Sequence, residues 1–465
     1  MRKEDRGERC KRLFNTQKSA FDVLEESDGD AIENLSSSYK DFIDSSKTER
    51  ECVENSRGMA EQWGFRPYQT GMAIKAGDKL YTEDNNKNII LAVIGKNSLA
   101  DGLRIVASHC DSPRLDLKPN PLYEEDGQAF FKTHYYGGVK KYQWLAMPLE
   151  LRGVAAKRDG TVVDIQVGAD PYDPVLVISD LLPHLSADAY KKTIGEGFTG
   201  ESMNALLGIK PDPEEGDDRV KLAVMSWLYE KYGIIEEDFR TAELSLVPAL
   251  NARDVGFDRS MIGAYGHDDR CCSFAGLQAI LETEQPQNTA VCVLTDKEEI
   301  GSEGVSGMIS SHFDTFIGDL CRTQGVELNH CYAKSLCLSG DVCNAYDPNY
   351  PDVHDKRNNA KIGYGLGVFK YTGRAGKAGS SDASCETMAR TRRLLDKAKV
   401  KWQVGELGKV DQGGGGTIAM FIARRNIEVV DVGIPVLSMH APFEVIAKVD
   451  LFMCYKAYYA LFNEV

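Results

Sequence analysis

The sequence predicts an α/β fold that is built from both ends of the chain and is interrupted by a β-rich insertion. Buried apolar strands alternate with amphipathic helices before residue 117 and again after residue 250. Between these points, short segments of alternating polarity are separated by Gly, Pro and Asp-Gly turns, which is typical of antiparallel sheet. We therefore expect one domain formed by residues 1–116 and 251–465, and an inserted domain formed by residues 117–250.

The composition excludes several classes of protein. The chain of 465 residues is 42% hydrophobic and 27% charged, which rules out a disordered or collagen-like chain. Its net charge of −15, without a concentrated basic face, predicts no nucleic-acid partner. The longest apolar run, Ile89–Ile94, is far shorter than the ~18 residues of a membrane helix, so we expect no membrane association.

The N-terminus and the cysteines predict a cytoplasmic protein. Nine of the first twelve residues are charged, so no secretory signal is expected. The twelve cysteines include no pair spaced C-x-x-C. We therefore expect buried free thiols in a reducing compartment, rather than a disulfide framework or a zinc ribbon.

The N-terminal elements are predicted from a capping box and two apolar runs. Thr48-x-x-Glu51 predicts the start of a helix, because the two side chains can cap each other's backbone N–H groups. The segments Ile89–Ile94 and Arg104–Ser108 predict two buried strands, and the second ends at His109. In the insertion, the acidic run Asp212–Asp218 predicts a solvated loop.

The C-terminal part returns to alternating strands and helices. Apolar residues at helical spacing and short fully apolar runs mark the two kinds of element. The predicted helices are Phe274–Leu281, Cys385–Leu395, Thr417–Arg424 and Val445–Phe462, and the predicted strands are Ala290–Leu294, Ser335–Ser339, Val429–Val432 and Val436–Met439.

Imidazole or carboxylate side chains follow five of the predicted strands. Ligand sites of open α/β sheets lie at the carboxyl ends of strands, so we expect these side chains to converge. Carboxylates that converge repel one another and need a cation between them. The residues are His109, Asp268 (after the predicted strand Met261–Tyr265), the pair Glu298 and Glu299, Asp341, and His440.

This set of side chains predicts a hydrolytic metal site. Imidazole and carboxylate ligands suit zinc, cobalt or manganese, and the set exceeds what one four-coordinate ion requires. Two ions that share a bridging carboxylate would activate a water and clamp a hydrolytic transition state. Asp111 is placed to accept the second ring N–H of His109, and one of the adjacent residues Glu298 and Glu299 remains free as a general base.

Six stretches of the sequence resemble the M18 family of metallo-aminopeptidases. They occur in the family's order and span most of the chain, from Ser108 to Ala441. The sequence departs from the family pattern at Cys110, at Gly266–Asp269 and at Gly413–Gly416. The matching stretches are His109–Pro113, Tyr136–Gly138, Asp296–Ser302, Gly340-Asp341 with Asp347–Tyr350, Gly415–Ile418 and Ser438–His440.

The resemblance implies a role for each site residue. It implies that Asp268, rather than Asp269, bridges two ions, on the basis of its spacing to Leu277. It also implies that Glu298 is the general base. The remaining ligands would be His109 and Asp341 for one ion, and Glu299 and His440 for the other.

The resemblance also implies an architecture and an assembly. Residues 1–116 and 251–465 would form a three-layer metallopeptidase catalytic domain with a central mixed sheet, and residues 117–250 would form a dimerisation and lid domain. The assembly would be a homododecamer of dimers in a tetrahedral shell. His184, in the insertion, would reach a partner subunit's active site, where it contacts substrate or metal; the alternative is a structural histidine.

Two further residues bear on the substrate. Gly415 is expected to line the substrate cleft with backbone groups. Lys370 lies where the family has a lysine near the substrate pocket, where it would pair with an acidic first side chain; the alternative is a solvated lysine. We predict a broad or neutral preference for the N-terminal residue, with acidic residues as the alternative.

Three functions are weighed on this evidence. The leading hypothesis is an aminopeptidase that hydrolyses the N-terminal peptide bond with two divalent ions, zinc first and cobalt or manganese next. The second is a related dinuclear amidohydrolase or carboxypeptidase. The third is an inactive self-assembling shell or binding protein, against which the presence of every expected ligand and of Glu298 argues.

Overall fold

A computed structural model describes residues 5–464 of the chain. Among these residues, no helix is both long and apolar enough to cross a membrane. The α-helices are α1 (Arg6–Leu13), α2 (Asp28–Ser45), α3 (Glu49–Gln62), α4 (Ile194–Gly197), α5 (Arg219–Tyr232), α6 (His267–Leu281), α7 (His312–Thr323), α8 (Leu328–Tyr332), α9 (Cys385–Lys397), α10 (Ala419–Ala423) and α11 (Lys448–Phe462).

The strands form one large sheet, two smaller sheets and a short ribbon. In chain order they are β1 (Arg66–Pro67), β2 (Lys79–Asp84), β3 (Asn88–Val93), β4 (Arg104–His109), β5 (Arg114–Glu125), β6 (Gln128–Tyr136), β7 (Leu149–Ala156), β8 (Val162–Val167), β9 (Asn204–Gly208), β10 (Ala242–Pro248), β11 (Arg253–Val255), β12 (Met261–Ala264), β13 (Ala290–Thr295), β14 (Leu336–Gly340), β15 (Cys343–Asn344), β16 (Leu366–Phe369), β17 (Gly373–Arg374), β18 (Trp402–Val404), β19 (Gly414–Gly415), β20 (Glu428–Gly433), β21 (Pro435–Leu437) and β22 (Glu444–Ala447).

The central sheet has nine strands in the order β1-β2-β3-β13-β4-β14-β20-β16-β18. Its inner strands β13, β4, β14 and β20 run parallel, whereas β3 and β16 run antiparallel to their inner neighbours, so the sheet is mixed. Because the four inner strands run in one direction, their carboxyl ends meet at one edge of the sheet.

Helices cover both faces of this sheet, which confirms the predicted three-layer α/β fold. Successive residues of β3 point to opposite faces, as a strand requires: Ile89 and Leu91 belong to the core under α6 and α11, and Ile90 belongs to the core under α7 and α8. The fully apolar strands predicted from the sequence are therefore strands buried on both sides.

The residues between the two halves of the α/β domain form a separate sheet. Its six strands lie in the order β8-β7-β10-β5-β6-β9, and helix α5 packs against it over a core of its own. Strand β5 begins at Arg114, three residues before the predicted start of the insertion, and β10 ends at Pro248. A domain boundary at residues 117 and 250 stays a prediction.

Several of the predicted elements are confirmed, and some of their boundaries are wrong. Thr48 caps α3 through the predicted capping box, and residues 212–218 form a loop. The last helix begins at Lys448 rather than at Val445, because Glu444–Ala447 pair with β12 and β21 as a strand. The strand predicted to reach Met439 ends at Leu437, since Ser438 and His440 turn the chain with φ of 58° and 64°.

Candidate active site

Three of the predicted strand ends meet at the carboxyl edge of the central sheet. His109 is the last residue of β4, and Asp341 follows β14 directly. Glu298 and Glu299 lie on a single 3₁₀ turn shortly after β13. Because β4 lies between β13 and β14, the three ends are neighbours in space.

Asp268 and His440 reach the same place from a different sheet. Asp268 lies in a non-helical kink near the start of α6, after β12, and His440 lies in the turn between β21 and β22. Both belong to connections of the five-stranded sheet β11-β12-β22-β21-β15. The turn before Asp268 requires Gly266, whose φ is +80° and whose added Cβ would lie 2.0 Å from Arg270 Nη1.

Asp268 lies between the two histidines. Its Oδ1 is 3.3 Å from His109 Nε2, and its Oδ2 is 3.1 Å from His440 Nε2. Glu299 Oε1 is 3.3 Å from His440 Nε2, and Asp341 Oδ1 is 3.8 Å from His109 Nε2. The ligand atoms therefore form two groups that have Asp268 in common: one with His109 and Asp341, the other with Glu299 and His440.

Glu298 is the less enclosed of the two adjacent glutamates. Its side chain is 18% exposed, against 4% for Glu299, and its Oε2 lies 4.0 Å from His109 Nε2. Glu298, Glu299 and His109 also offer ligand atoms that lie close together. Glu298 thus faces the cavity beside the cluster, while Glu299 is held within it.

Asp111 organises the cluster from behind. Its Oδ1 accepts the backbone N–H of Glu298 at 3.2 Å and lies 3.3 Å from His109 Nδ1. Its Oδ2 accepts the backbone N–H of Glu299 at 3.2 Å and the hydroxyl of Tyr136 at 2.8 Å. Asp111 therefore orients the glutamate turn through its buried carboxylate, and it orients the imidazole through its backbone carbonyl, 3.0 Å from His109 Nδ1, as partners of metal ligands do.

The end of β6 brings the insertion into the site. Gly138 accepts a hydrogen bond from the His440 ring through its carbonyl oxygen, at 2.9 Å from Nδ1. A Cβ on Gly138 would lie 3.1 Å from that same nitrogen, and one on Gly137 would lie 3.2 Å from the Glu299 carboxylate. The two glycines after Tyr136 thus permit the backbone to approach both ligands.

Glu444 is a buried residue that the sequence analysis did not single out. Its carboxylate accepts the backbone N–H of His440 at 2.7 Å and that of Asp268 at 3.1 Å. It therefore ties together the two ligands that come from the five-stranded sheet. Strand β22 was not predicted, because the predicted helix began at Val445, the residue after Glu444.

The pKa values of several site residues are shifted in the direction that favours binding of positive charge. Burial raises the pKa of Glu298 to about 8 and that of Asp341 to about 6, and the neighbouring carboxylates add to both shifts. Burial opposes protonation of His440, but the carboxylates of Asp268 and Glu299 raise its pKa to about 10. Carboxylates whose pKa is raised by burial and crowding, beside an imidazole whose pKa those carboxylates raise, are the environment in which a divalent cation binds.

The cluster opens into a cavity of about 320 Å³. Besides Asp268, Glu298, Glu299, Asp341 and His440, its lining includes the glycine segment 413–416, and therefore Gly415 as expected. Asp431 on β20 also lines it and is held by the hydroxyl of Thr417 at 2.6 Å. Asp269 does not line the cavity in the described part of the chain.

His184 and Lys370 lie outside this cavity, as the lining residues between positions 5 and 464 show. His184 is exposed on the single turn Pro183–Leu185 of the insertion. Lys370 Nζ is paired with Asp382 at 2.5 Å, and its side chain is 47% exposed. Its neighbours Arg374 and Lys377 line the cavity instead.

Comparisons with known proteins agree on one family. Residues 42–462 match the family model described as aminopeptidase I zinc metalloprotease (M18). A probable M18 family aminopeptidase 1 from Clostridium acetobutylicum is 45% identical over 97% of this chain and 99% of its own length. Its counterpart from Thermotoga maritima is 44% identical over 93% of this chain and 96% of its own length.

Solved structures show the same similarity. The crystal structure of an M18 aminopeptidase from Thermotoga maritima superposes with a TM-score of 0.93 at 42% identity, covering 97% of this chain and 100% of that one. The S. cerevisiae mApe1 dodecamer superposes with a TM-score of 0.76 over 93% of this chain and 97% of its own. At 21% identity, this second likeness shows the fold alone.

Proposed function

The chain belongs to the M18 family of aminopeptidases, which are zinc metalloproteases, and we propose that it removes the N-terminal residue of peptides with two divalent ions. The observation that carries this proposal is the position of Asp268. Its two carboxylate oxygens lie 3.3 Å and 3.1 Å from the imidazole nitrogens of two different histidines. One carboxylate placed in this way can serve two ions at once.

The residues present fit such ions. The donors are imidazole nitrogens and carboxylate oxygens, which suit zinc, cobalt and manganese. Glu299 Oε1 is buried without a hydrogen-bond partner among residues 5–464, as expected of an oxygen intended for a cation. His109, Asp268 and Asp341 would hold one ion, and Asp268, Glu299 and His440 the other.

Two ions bound here would polarise the scissile carbonyl group and lower the pKa of water. Glu298 acts as the general base: its carboxylate faces the cavity, accepts a proton from the attacking water and returns it to the leaving amine. Asp111 fixes the turn that carries Glu298 by accepting its backbone N–H at 3.2 Å. The backbone carbonyl of Asp111 also holds His109 in one ring orientation, 3.0 Å from its Nδ1.

The cavity supports a broad or neutral preference for the N-terminal residue. Its walls carry both signs of charge: Arg374 and Lys377 are basic, and Glu406 and Asp431 are acidic. Lys370, which would select acidic residues, is neutralised by Asp382 outside the cavity. The glycine segment around Gly415 offers backbone groups to a peptide rather than a selective side chain.

For the assembly, we propose dimers formed through the insertion and arranged as a tetrahedral dodecamer. The segment around His184 exposes several large apolar side chains, which is unusual for a free surface. This supports a contact through which His184 reaches a partner's substrate. The exposed side chains are Leu181, Leu182, Leu185, Tyr190 and Ile194.

Subunit mixing tests the role of His184. Glu298→Gln and His184→Ala subunits are each expected to be nearly inactive alone. If His184 acts in trans, mixed oligomers recover activity, because one site of a hetero-dimer is complete. The absence of recovery in oligomers shown to be mixed would place His184 in its own site or make it structural.

A substrate panel tests the proposed reaction. Protein stripped of metal is loaded with zinc, cobalt or manganese and is offered peptides with free or acetylated N-termini. We expect release of the first residue from free peptides alone, with activity rising until two ions are bound per active site. Cleavage of acetylated peptides, release of C-terminal residues, or full activity with one ion would contradict the proposal.

A further inference from the structure

The metal ligands and Glu298 leave one requirement of an aminopeptidase unassigned, which is a partner for the free amino group of the substrate. A single carbon atom separates this amino group from the scissile carbonyl group, so its partner must lie close to the metal ligands. An ammonium group is bound most strongly by an ionised acceptor such as a carboxylate. Among the described residues that line the cavity, three carboxylates belong neither to the ligand groups nor to the base: Glu406, Asp411 and Asp431.

Asp431 is the most deeply buried of the three. It is 3% exposed, whereas Glu406 is half-buried and Asp411 is exposed. Its strand, β20, pairs in parallel with β14, which ends just before Asp341. The carbonyl group of Val432, the next residue of β20, accepts the backbone N–H of Asp341 at 3.0 Å. Asp431 therefore lies on the floor of the cavity, beside a strand end that carries a proposed metal ligand.

The hydrogen bonds of Asp431 leave part of its carboxylate free. Oδ1 accepts the hydroxyl of Thr417 at 2.6 Å, and Oδ2 accepts that of Ser381 at a long 3.5 Å. An ionised carboxylate offers about four acceptor sites. Within residues 5–464, no lysine, arginine or histidine side chain forms an ion pair with Asp431. Oδ2 is therefore available to a positively charged group that enters the cavity.

We propose that Asp431 binds the free α-amino group of the substrate, an inference that rests on the proposed aminopeptidase function. The ammonium group donates a charge-assisted hydrogen bond to Oδ2, while Thr417 holds Oδ1 and so fixes the direction of the carboxylate. A peptide with an acetylated N-terminus presents a neutral amide that lacks this charge and needs more room. Asp431 thereby restricts hydrolysis to peptides with free N-termini.

Two hydroxamates that differ only in the amino group test this role: L-leucine hydroxamate, and isocaprohydroxamate, which is the same molecule without its amino group. Both present the same metal-binding group, so the ratio of their dissociation constants, measured by calorimetry on zinc-loaded protein, reports recognition of the amino group alone. We expect the wild type to prefer L-leucine hydroxamate, and Asp431→Asn to reduce that preference by about 10–100-fold. Asp319→Asn is a matched control, because Asp319 is buried on α7 and accepts the hydroxyl of Thr70 at 3.3 Å, outside the cavity. It should keep the wild-type preference.

A second variant covers the case in which Asp431→Asn does not fold. Thr417→Val keeps the carboxylate but removes the bond that directs it, and should reduce the preference by about tenfold. A preference that both variants leave unchanged would overturn the inference, as would an equal weakening of both hydroxamates, which marks a structural role. A wild type that binds the two hydroxamates equally would also overturn it. These results leave the proposed reaction intact as long as the wild type releases the first residue of free peptides; absence of that release would contradict the reaction itself.

Discussion

Replacement of Asp111 by asparagine perturbs the site without removing a ligand. Oδ1 receives the Glu298 N–H and faces His109 Nδ1, while Oδ2 receives the Glu299 N–H and the Tyr136 hydroxyl. In Asp111→Asn, one of these oxygens becomes an NH₂ group. That group meets the backbone N–H of Glu298 or of Glu299 whichever way the amide is turned, so at least one hydrogen bond is lost.

The size of the effect follows from these contacts. A hydrogen bond to a charged group contributes about 1.5–3 kcal/mol, which is the cost of the one bond that must be lost. Loss of such an outer partner lowers metal affinity by about 10–100-fold, or about 1.4–2.8 kcal/mol. The two ranges overlap. We therefore expect zinc affinity to fall by about 10–100-fold.

The assay is competition between the protein and a chelator for zinc, with activity measured at saturating metal. Tyr136→Phe removes only one of the bonds to Asp111 and should weaken zinc binding less. Tyr332→Phe is a matched control, because that hydroxyl donates to Asp314 at the same distance of 2.8 Å but away from the site. Wild-type zinc affinity in Asp111→Asn would refute the role given to Asp111.

Three other substitutions test separate parts of the account. Glu298→Gln should lower kcat by about 10²–10⁴-fold with metal content retained, and near-normal kcat in a metal-replete sample would exclude Glu298 as the base. Lys370→Met should leave the relative kcat/KM for Asp, Glu, Leu and Lys substrates unchanged, because Asp382 already neutralises Lys370 at 2.5 Å. If the wild type prefers acidic residues and the variant does not, Lys370 belongs to the substrate pocket. Burial lowers the pKa of His267 to about 3, below its unfolded value of about 6.5. The free energy of unfolding therefore decreases as the pH falls below about 6.5, by about 1.4 kcal/mol per pH unit. In His267→Gln, urea unfolding should show a smaller loss between about pH 6 and pH 4, and an identical pH slope would show that His267 is not responsible.

The sequence predicted the part of the site that depends on buried strands. His109, Asp341 and the two glutamates were located because fully apolar strands are easily recognised and their carboxyl ends must meet. The convergence of Asp268 and His440 was also predicted, but their origin in a second sheet was not. That sheet is made of strands of two to four residues, which carry little periodicity.

The remaining misses also have physical reasons. Glu444 was overlooked because its segment continues into the apolar pattern of α11, and only pairing with β12 and β21 makes it a strand. The partner of Lys370 is Asp382, twelve residues away in a loop, which local sequence patterns do not predict. The unpartnered carboxylate of Asp269 depends on the packing of α6 against α11 and is visible only in three dimensions.

The metal content of matched aspartate variants tests the central claim most directly. Asp268→Ala, Asp341→Ala and Asp269→Ala are purified with excess zinc, and bound metal is measured by elemental analysis against the wild type. The account predicts that Asp268→Ala loses both catalytic ions, because its two oxygens face two histidines at 3.3 Å and 3.1 Å. Asp341→Ala should lose one catalytic ion, and Asp269→Ala should keep both. Retention of both ions in Asp268→Ala, with their loss in Asp269→Ala, would contradict the bridging role of Asp268.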